Sequence, residues 1–231
     1  MRIPWSFRQL RTNSTPRRLF NAAAVALVFG LAVGSAGQAR AEAIRILALG
    51  DSLTAGLGLS EADAFTAQLE AALKAQGYDV RVLNAGVSGD TTAGGLDRLD
   101  WALADKPDLA LVELGANDML RGIDPTAVRA NLDKILVKLG DAKIPTLLAG
   151  MLAAPNLGPA YGTAFDAIYP DLAKAHGVPL YPFFLDGVAA QAALNQADGM
   201  HPNAAGVKII VERITPAMVA LIKAGGFAKT G

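Results

Sequence analysis

Short apolar runs rich in branched residues alternate along this chain with longer segments of helical period, and that alternation constrains its fold more than any other feature. It is the pattern of βαβ units around a parallel sheet. The runs Ile44–Leu49, Asp79–Leu83, Leu109–Leu114, Thr146–Ala149 and Val178–Pro182 are almost continuously apolar, as strands covered on both faces must be. Between and after them, Ala62–Gln76, Gly94–Ala104, Thr126–Leu139, Tyr161–Ala175 and Asn203–Ala224 read as helices, several closed by glycine or proline. Right-handed crossovers turn such a chain into a three-layer α/β/α sandwich with a five-stranded parallel sheet. Ligands of sheets of this kind sit beyond the carboxyl ends of the strands, so chemistry belongs in the loops that follow them.

The first 41 residues do not share this pattern. They carry Arg2, Arg8, Arg11, Arg17, Arg18 and Arg40, no acid, and an apolar stretch from Ala22 to Val33 that ends in small residues. This is the anatomy of a secretory signal peptide, with Ala39-Arg40-Ala41 as an A-x-A cleavage site and Glu42 as the first mature residue. The alternative, a membrane anchor, needs about 20 apolar residues and finds far fewer here. Arg17-Arg18 followed by Leu19-Phe20 hints at twin-arginine export without separating it from the general route. The expectation is therefore a signal peptide over 1–41, one domain over 42–231, and a periplasmic or secreted product with no stable membrane anchor.

Composition narrows the partners. Without residues 1–41 the chain keeps 15 Lys and Arg against 21 Asp and Glu. A surface of that sign repels nucleic acid, and no basic stripe or aromatic platform opposes it. There is no cysteine, so neither disulfides nor a lipid-modified cysteine can anchor or staple the domain. Oligomeric state is left open.

Four blocks carry chemistry. After the first strand comes Gly50-Asp51-Ser52-Leu53, a sharp turn from which Ser52 can project as a nucleophile. It lacks the second glycine of the G-x-S-x-G elbow and the Lys-Ser/Thr of a phosphate loop; taken alone, it reads equally as a glycine-rich turn. After the second strand, Asn84–Thr92 offers exposed backbone N–H groups among its glycines, and after the third, Gly115-Ala116-Asn117-Asp118 offers a neutral amide at Asn117. Either could donate to a developing oxyanion, and either alone is equally ordinary turn chemistry. The block Asp198-Gly199-Met200-His201-Pro202-Asn203 decides the matter. A carboxylate three residues before a histidine on one tight turn can accept its Nδ1–H and leave Nε2 to take a serine proton. No further His or Cys completes a zinc site around this pair, and His176 at a helix end reads as surface or packing.

Together these blocks resemble the SGNH (GDSL) hydrolase family, in particular its periplasmic thioesterase, arylesterase and lysophospholipase branch. The likeness spans nearly all of residues 43–222, including VSGDTTAGGLDRL, LVELGANDMLRG and DGMHPN. It implies a flavodoxin-like α/β/α fold and a catalytic triad of Ser52, Asp198 and His201. It also implies an oxyanion hole formed by the Ser52 and Gly86 N–H groups and the Asn117 amide, with neither metal nor organic cofactor. It further implies that the loop over 115–123 adjusts to an acyl chain. The expected reaction is hydrolysis of a small acyl ester or thioester through an acyl-serine intermediate. Removal of acetyl groups from carbohydrate is the alternative enzyme reading, and an exported module that holds lipid or nucleotide without turnover is the non-enzymatic one. The apolar residues Leu53, Leu57, Met119, Leu120, Ile123, Leu157 and Met200 near the blocks favour a hydrophobic acyl group.

Overall fold

A computed structural model describes residues 42–230 of the chain. The signal-peptide expectation for residues 1–41 falls outside them. Five parallel strands form one sheet: β1 (Ile44–Gly50), β2 (Val80–Gly86), β3 (Leu109–Glu113), β4 (Thr146–Ala149) and β5 (Leu180–Tyr181), in the spatial order β2-β1-β3-β4-β5. The helices are α1 (Ser52–Ala55), α2 (Phe65–Ala75), α3 (Thr92–Asp97), α4 (Leu99–Leu103), α5 (Ala116–Leu120), α6 (Pro125–Asp141), α7 (Pro159–Asp166), α8 (Ile168–His176) and α9 (Ala204–Ala224). Helices α2 and α9 pack together on one face, and α3, α6 and α8 form a contiguous layer on the other. This is the expected three-layer sandwich.

Burial explains why the strands read as they do. Ile46, Leu47, Ala48 and Leu49 are consecutive and all buried, because helices cover both faces of β1. β2 lies at the edge and alternates more, with Arg81 and Asn84 exposed. Its free side is partly closed by Glu70 of α2, whose Oε2 accepts the Val82 N–H at 2.8 Å. β5 is shorter than the expected Val178–Pro182 because Pro179 and Pro182 flank it and neither can donate to a ladder.

Two expected helices are each divided. The segment Tyr161–Ala175 breaks between α7 and α8 at Ala167, since Pro170 has no N–H for the Asp166 carbonyl and its ring crowds that carbonyl. The segment Gly94–Ala104 breaks at Arg98, whose guanidinium turns inward to the Ala85 carbonyl at 2.6 Å and the Gly50 carbonyl at 2.8 Å. Two other helix starts have side-chain caps. Asp124 accepts from Thr126 N–H ahead of Pro125, and Asn203 accepts from the Ala205 and Gly206 N–H groups.

Strand order places the chemistry. The crossover from β1 runs to β2 on one side, whereas β3 lands on the other side of β1. The crevice at the carboxyl ends of β1 and β3 is the topological switch point of the sheet.

Candidate active site

The turn after β1 is built by Asp51. Its Oδ1 accepts the Leu53 N–H at 3.0 Å, which starts the single-turn helix α1 and makes Ser52 its first residue. A first-turn N–H has no carbonyl partner within its own helix, so the Ser52 N–H stands at the open end of α1. Ser52 is 8% exposed at the floor of the switch-point crevice. Close approach of the backbone is a condition of this turn. A Cβ on Gly50 would stand 2.0 Å from Thr54 Oγ1, and one on Gly86 would stand 2.3 Å from the Ala55 nitrogen. Only glycine lets the ends of β1 and β2 lie this close to α1.

The histidine arrives from the other end of the chain on a small hairpin. Asn195 and Pro202 form an antiparallel bridge, and the Gln196 N–H donates to the His201 carbonyl at 2.7 Å. At its tip, Asp198 Oδ1 accepts the Met200 N–H at 2.9 Å and the His201 N–H at 3.0 Å, while Oδ2 lies 2.6 Å from His201 Nδ1. These N–H donors, the His201 backbone first, hold the Asp198 carboxyl down at about 2. A carboxylate there fixes the Nδ1–H tautomer and leaves Nε2 as the acceptor facing Ser52 Oγ, 2.9 Å away and 149 residues distant in sequence.

The remaining expected donors flank Ser52. Asn117 stands on α5 directly after β3, and its Nδ2 donates to Asp51 Oδ2 at 3.1 Å. One amide hydrogen is thereby used and the other is free to point elsewhere. The Gly86 N–H, at the end of β2, donates to the side chain of its own neighbour Asn84 at 2.9 Å. It reaches an oxyanion only by sharing that hydrogen or by release of Asn84. Asp118, next to Asn117, turns away and binds the Thr92 N–H at 2.8 Å and the Thr92 hydroxyl at 2.6 Å, so it ties α5 to α3. Ser52, Asp198, His201 and Asn117 are thus joined to one another directly or through Asp51, and Gly86 lies beside them against α1. His176, by contrast, pairs with Asp133 of α6 at 2.7 Å. It closes α8, which runs back across the sheet, and so lies at the opposite edge from the crevice.

Several residues of this neighbourhood escape a reading of the sequence. Arg98 joins the ends of β1 and β2 and is itself held by Asp90 at 2.6 Å. Gln196 joins the hairpin to the loop after α1 through the Leu57 carbonyl at 2.8 Å. Glu113, the last residue of β3, is 1% exposed, and its Oε2 accepts from Thr54 Oγ1 at 2.8 Å. Burial, reinforced by the neighbouring Asp51, pushes its carboxyl well above the usual carboxylate range. A lone acid inside the run LALVEL is the one sequence signal that marks it. Arg98 and Gln196 have no such signal, because their partners are distant in the chain.

Among the described residues, no group of three or more His, Asp or Glu side chains could hold a metal ion. The cavity lined by Ser52, Leu57, His201 and Val207 is about 10 Å³, a small depression at the nucleophile. A larger groove of about 710 Å³ runs along the β2 edge past Glu70, Lys74 and Arg81 and contains neither Ser52 nor His201.

The model of the GDSL-like lipase/acylhydrolase family matches residues 48–209. Esterase TesA of Pseudomonas aeruginosa is 41% identical over 184 residues, covering 79% of this chain and 92% of that protein. Thioesterase 1/protease 1/lysophospholipase L1 of Escherichia coli is 42% identical over 164 residues, covering 71% of this chain and 77% of that protein. Among solved structures, AlinE4, an SGNH-hydrolase family esterase, superposes with a TM-score of 0.67 at 50% identity, covering 78% of this chain and 96% of the other.

Proposed function

Since this chain belongs to the GDSL-like lipase/acylhydrolase family and is an ester-cleaving hydrolase, we propose that it acts through an acyl-serine intermediate on Ser52. The observation that carries this reading is the continuous chain Asp198–His201–Ser52, with contacts of 2.6 and 2.9 Å. His201 Nε2 takes the Ser52 proton as Oγ attacks the acyl carbon. The resulting imidazolium is stabilised by Asp198 and returns the proton to the departing alkoxide or thiolate. Water then repeats the sequence on the acyl-serine, releasing the acid and restoring the hydroxyl. The carbonyl oxygen, negative in each tetrahedral intermediate, is met by the Ser52 N–H, the Asn117 amide and the Gly86 N–H once Asn84 gives way.

The acyl group is hydrophobic on this reading. Of the large apolar side chains left exposed, Leu57, Val87, Leu120 (the last residue of α5), Leu152 and Met200 lie on the segments that follow β1, β2, β3 and β4 and on the His201 hairpin. These segments leave the carboxyl ends of the strands, the side of the sheet that carries Ser52, so apolar surface is exposed on the side where an acyl chain would bind. The relatives named esterase and thioesterase 1/lysophospholipase L1 support ester and thioester substrates of this kind. A panel of p-nitrophenyl esters and acyl thioesters of rising chain length tests it: kcat/KM should increase beyond acetyl. Activity confined to acetyl esters of sugars would replace this reading with the carbohydrate acetylesterase.

Export belongs to the same proposal, with Ala39-Arg40-Ala41 as the cleavage site. No helix among the described residues is long and apolar enough to cross a membrane. Protein recovered outside the cytoplasm should begin at Glu42 by N-terminal sequencing, and an intact Met1 form in the membrane fraction would show an anchor instead.

A further inference from the structure

Beneath the nucleophile lie two acidic side chains that the proposed mechanism does not use, Asp51 and Glu113. We infer that Asp51 is a positioning residue that aims the Asn117 amide at the oxyanion, and that the buried Glu113 carboxyl holds Asp51 in place from below. The inference rests on the proposed reading of Asn117 as an oxyanion donor.

Asp51 divides its oxygens between the two halves of the site. Oδ1 accepts the Leu53 N–H at 3.0 Å and fixes the turn that carries Ser52; Oδ2 accepts the Asn117 amide at 3.1 Å. Nucleophile and oxyanion donor are therefore referred to one carboxylate. An amide with one hydrogen bound to Asp51 can rotate only by breaking that bond, so its second hydrogen keeps its direction while charge develops. Glu113 lies directly underneath. Its Oε2 accepts from Thr54 Oγ1 at 2.8 Å and from the Asp51 N–H at 3.4 Å, whereas Oε1 is buried without a hydrogen-bond partner.

A carboxylate with one oxygen buried and unpaired is costly, and a neutral acid is much less so. Burial, with Asp51 beside it, accordingly drives the Glu113 carboxyl well above the usual range. Burial also raises Asp51 to about 6, against the pull of the Leu53 N–H, Asn117 and His201. Of the two, Glu113 is the more deeply buried and the one with an unpaired oxygen, so the proton is favoured there and the negative charge on Asp51, which accepts from Leu53 and Asn117. Other groups face the pair. Asp90, paired with Arg98, and His201 face Asp51, and Tyr169 of α8 faces Glu113, with Asp118 beyond it.

A mere helix cap can be told apart from a positioning residue here. Asparagine caps helices as well as aspartate does. In Asp51→Asn, Oδ1 still accepts from Leu53, but the new NH₂ group faces the NH₂ of Asn117 and no longer anchors it. The test is steady-state kinetics on p-nitrophenyl butyrate with Asp51→Asn, Asn117→Ala and the double variant of the whole protein. Asn117→Ala is expected to lose roughly 10²–10³ in kcat. Asp51→Asn should lose about 10–100-fold in kcat at pH 7.5, with KM and the melting temperature at that pH little changed, and the double variant should lie within about threefold of Asn117→Ala. Wild-type kcat in Asp51→Asn, or multiplication of the two losses in the double variant, overturns the inference alone. Wild-type kcat in Asn117→Ala overturns the oxyanion assignment and this inference with it. For Glu113, the Ala variant should lose about tenfold in kcat and Glu113→Gln should regain most of it, since a neutral carbonyl still accepts from Thr54 and the Asp51 N–H. A Gln variant no better than Ala overturns the part assigned to Glu113; if the Ala variant does not fold, a Glu113→Gln kcat more than about tenfold below wild type overturns it in the same way.

Discussion

The Gln196 side chain donates to the Leu57 carbonyl at 2.8 Å, across 139 residues of sequence. Its amide also donates to the Pro202 carbonyl at 3.0 Å, so one side chain joins the hairpin bearing His201 to the loop that leaves Ser52. Gly58 completes the fit, since a Cβ there would stand 2.2 Å from Gln196 Oε1. The 2.9 Å gap between His201 and Ser52 depends on how these loops are held together. Gln196→Ala should lower kcat by about tenfold with little change in KM, because a small misplacement of the base costs rate before affinity. Stability should fall by about 1–2 kcal/mol, since two hydrogen bonds with a net worth of about 1 kcal/mol each are lost. Kinetics beside urea unfolding separate the two effects, and a wild-type kcat would free the hairpin from this role.

Ser52, His201 and Asp198 should behave as one unit. Ser52→Ala and His201→Ala are each expected to remove most turnover of a p-nitrophenyl ester, and their combination to cost little more. Asp198→Ala should retain more activity, since its task is to orient and stabilise the imidazole. EDTA should leave the wild-type rate unchanged. Full activity of purified Ser52→Ala would rule out an acyl-serine route.

Gly86→Ala tests the closeness of β2 to the nucleophile turn. The added methyl meets the Ala55 nitrogen at 2.3 Å and its Cα at 2.7 Å, both backbone atoms that cannot rotate away. Backbone displacement on that scale should cost about 1–3 kcal/mol in unfolding free energy and displace α1 together with Ser52. The expected result is a lower melting temperature with kcat reduced by more than tenfold. A variant with wild-type stability would show that β2 and α1 can separate freely.

The two aspartates of the site bias stability with pH in opposite directions. Burial raises Asp51 from 3.8 to about 6, so its contribution is complete below about pH 3.8 and is lost as pH rises through about 6. The span amounts to about 3 kcal/mol at 1.36 kcal/mol per unit. Asp198, drawn down to about 2 by the His201 and Met200 N–H groups, stabilises the fold above about pH 3.8 and loses that effect as pH falls toward 2. Urea unfolding of wild type and Asp51→Asn at pH 4 and pH 7.5 should therefore show the wild-type advantage shrinking, by up to about 3 kcal/mol, at the higher pH. An advantage that is constant with pH would mean that Asp51 does not titrate on folding.

Features written in neighbouring positions of the chain are legible without its fold. The strand runs follow from burial on both faces, the Ser52 turn from a glycine and a cap, and the Asp198–His201 contact from a three-residue spacing on a tight turn. The helical period over Tyr161–Ala175 reads as one helix and hides the break, although its cause, the N–H that Pro170 lacks, is a property of the residue itself. Tertiary structure decided the rest. Only the strand order sets Ser52 beside Asn117, and only docking of a distant hairpin sets His201 against Ser52 and Gln196 against Leu57. The protonation of Asp51 and Glu113 belongs to the same class. The cost of a charge depends on the groups that surround it, and here those groups come from strand and helix ends far apart in the chain.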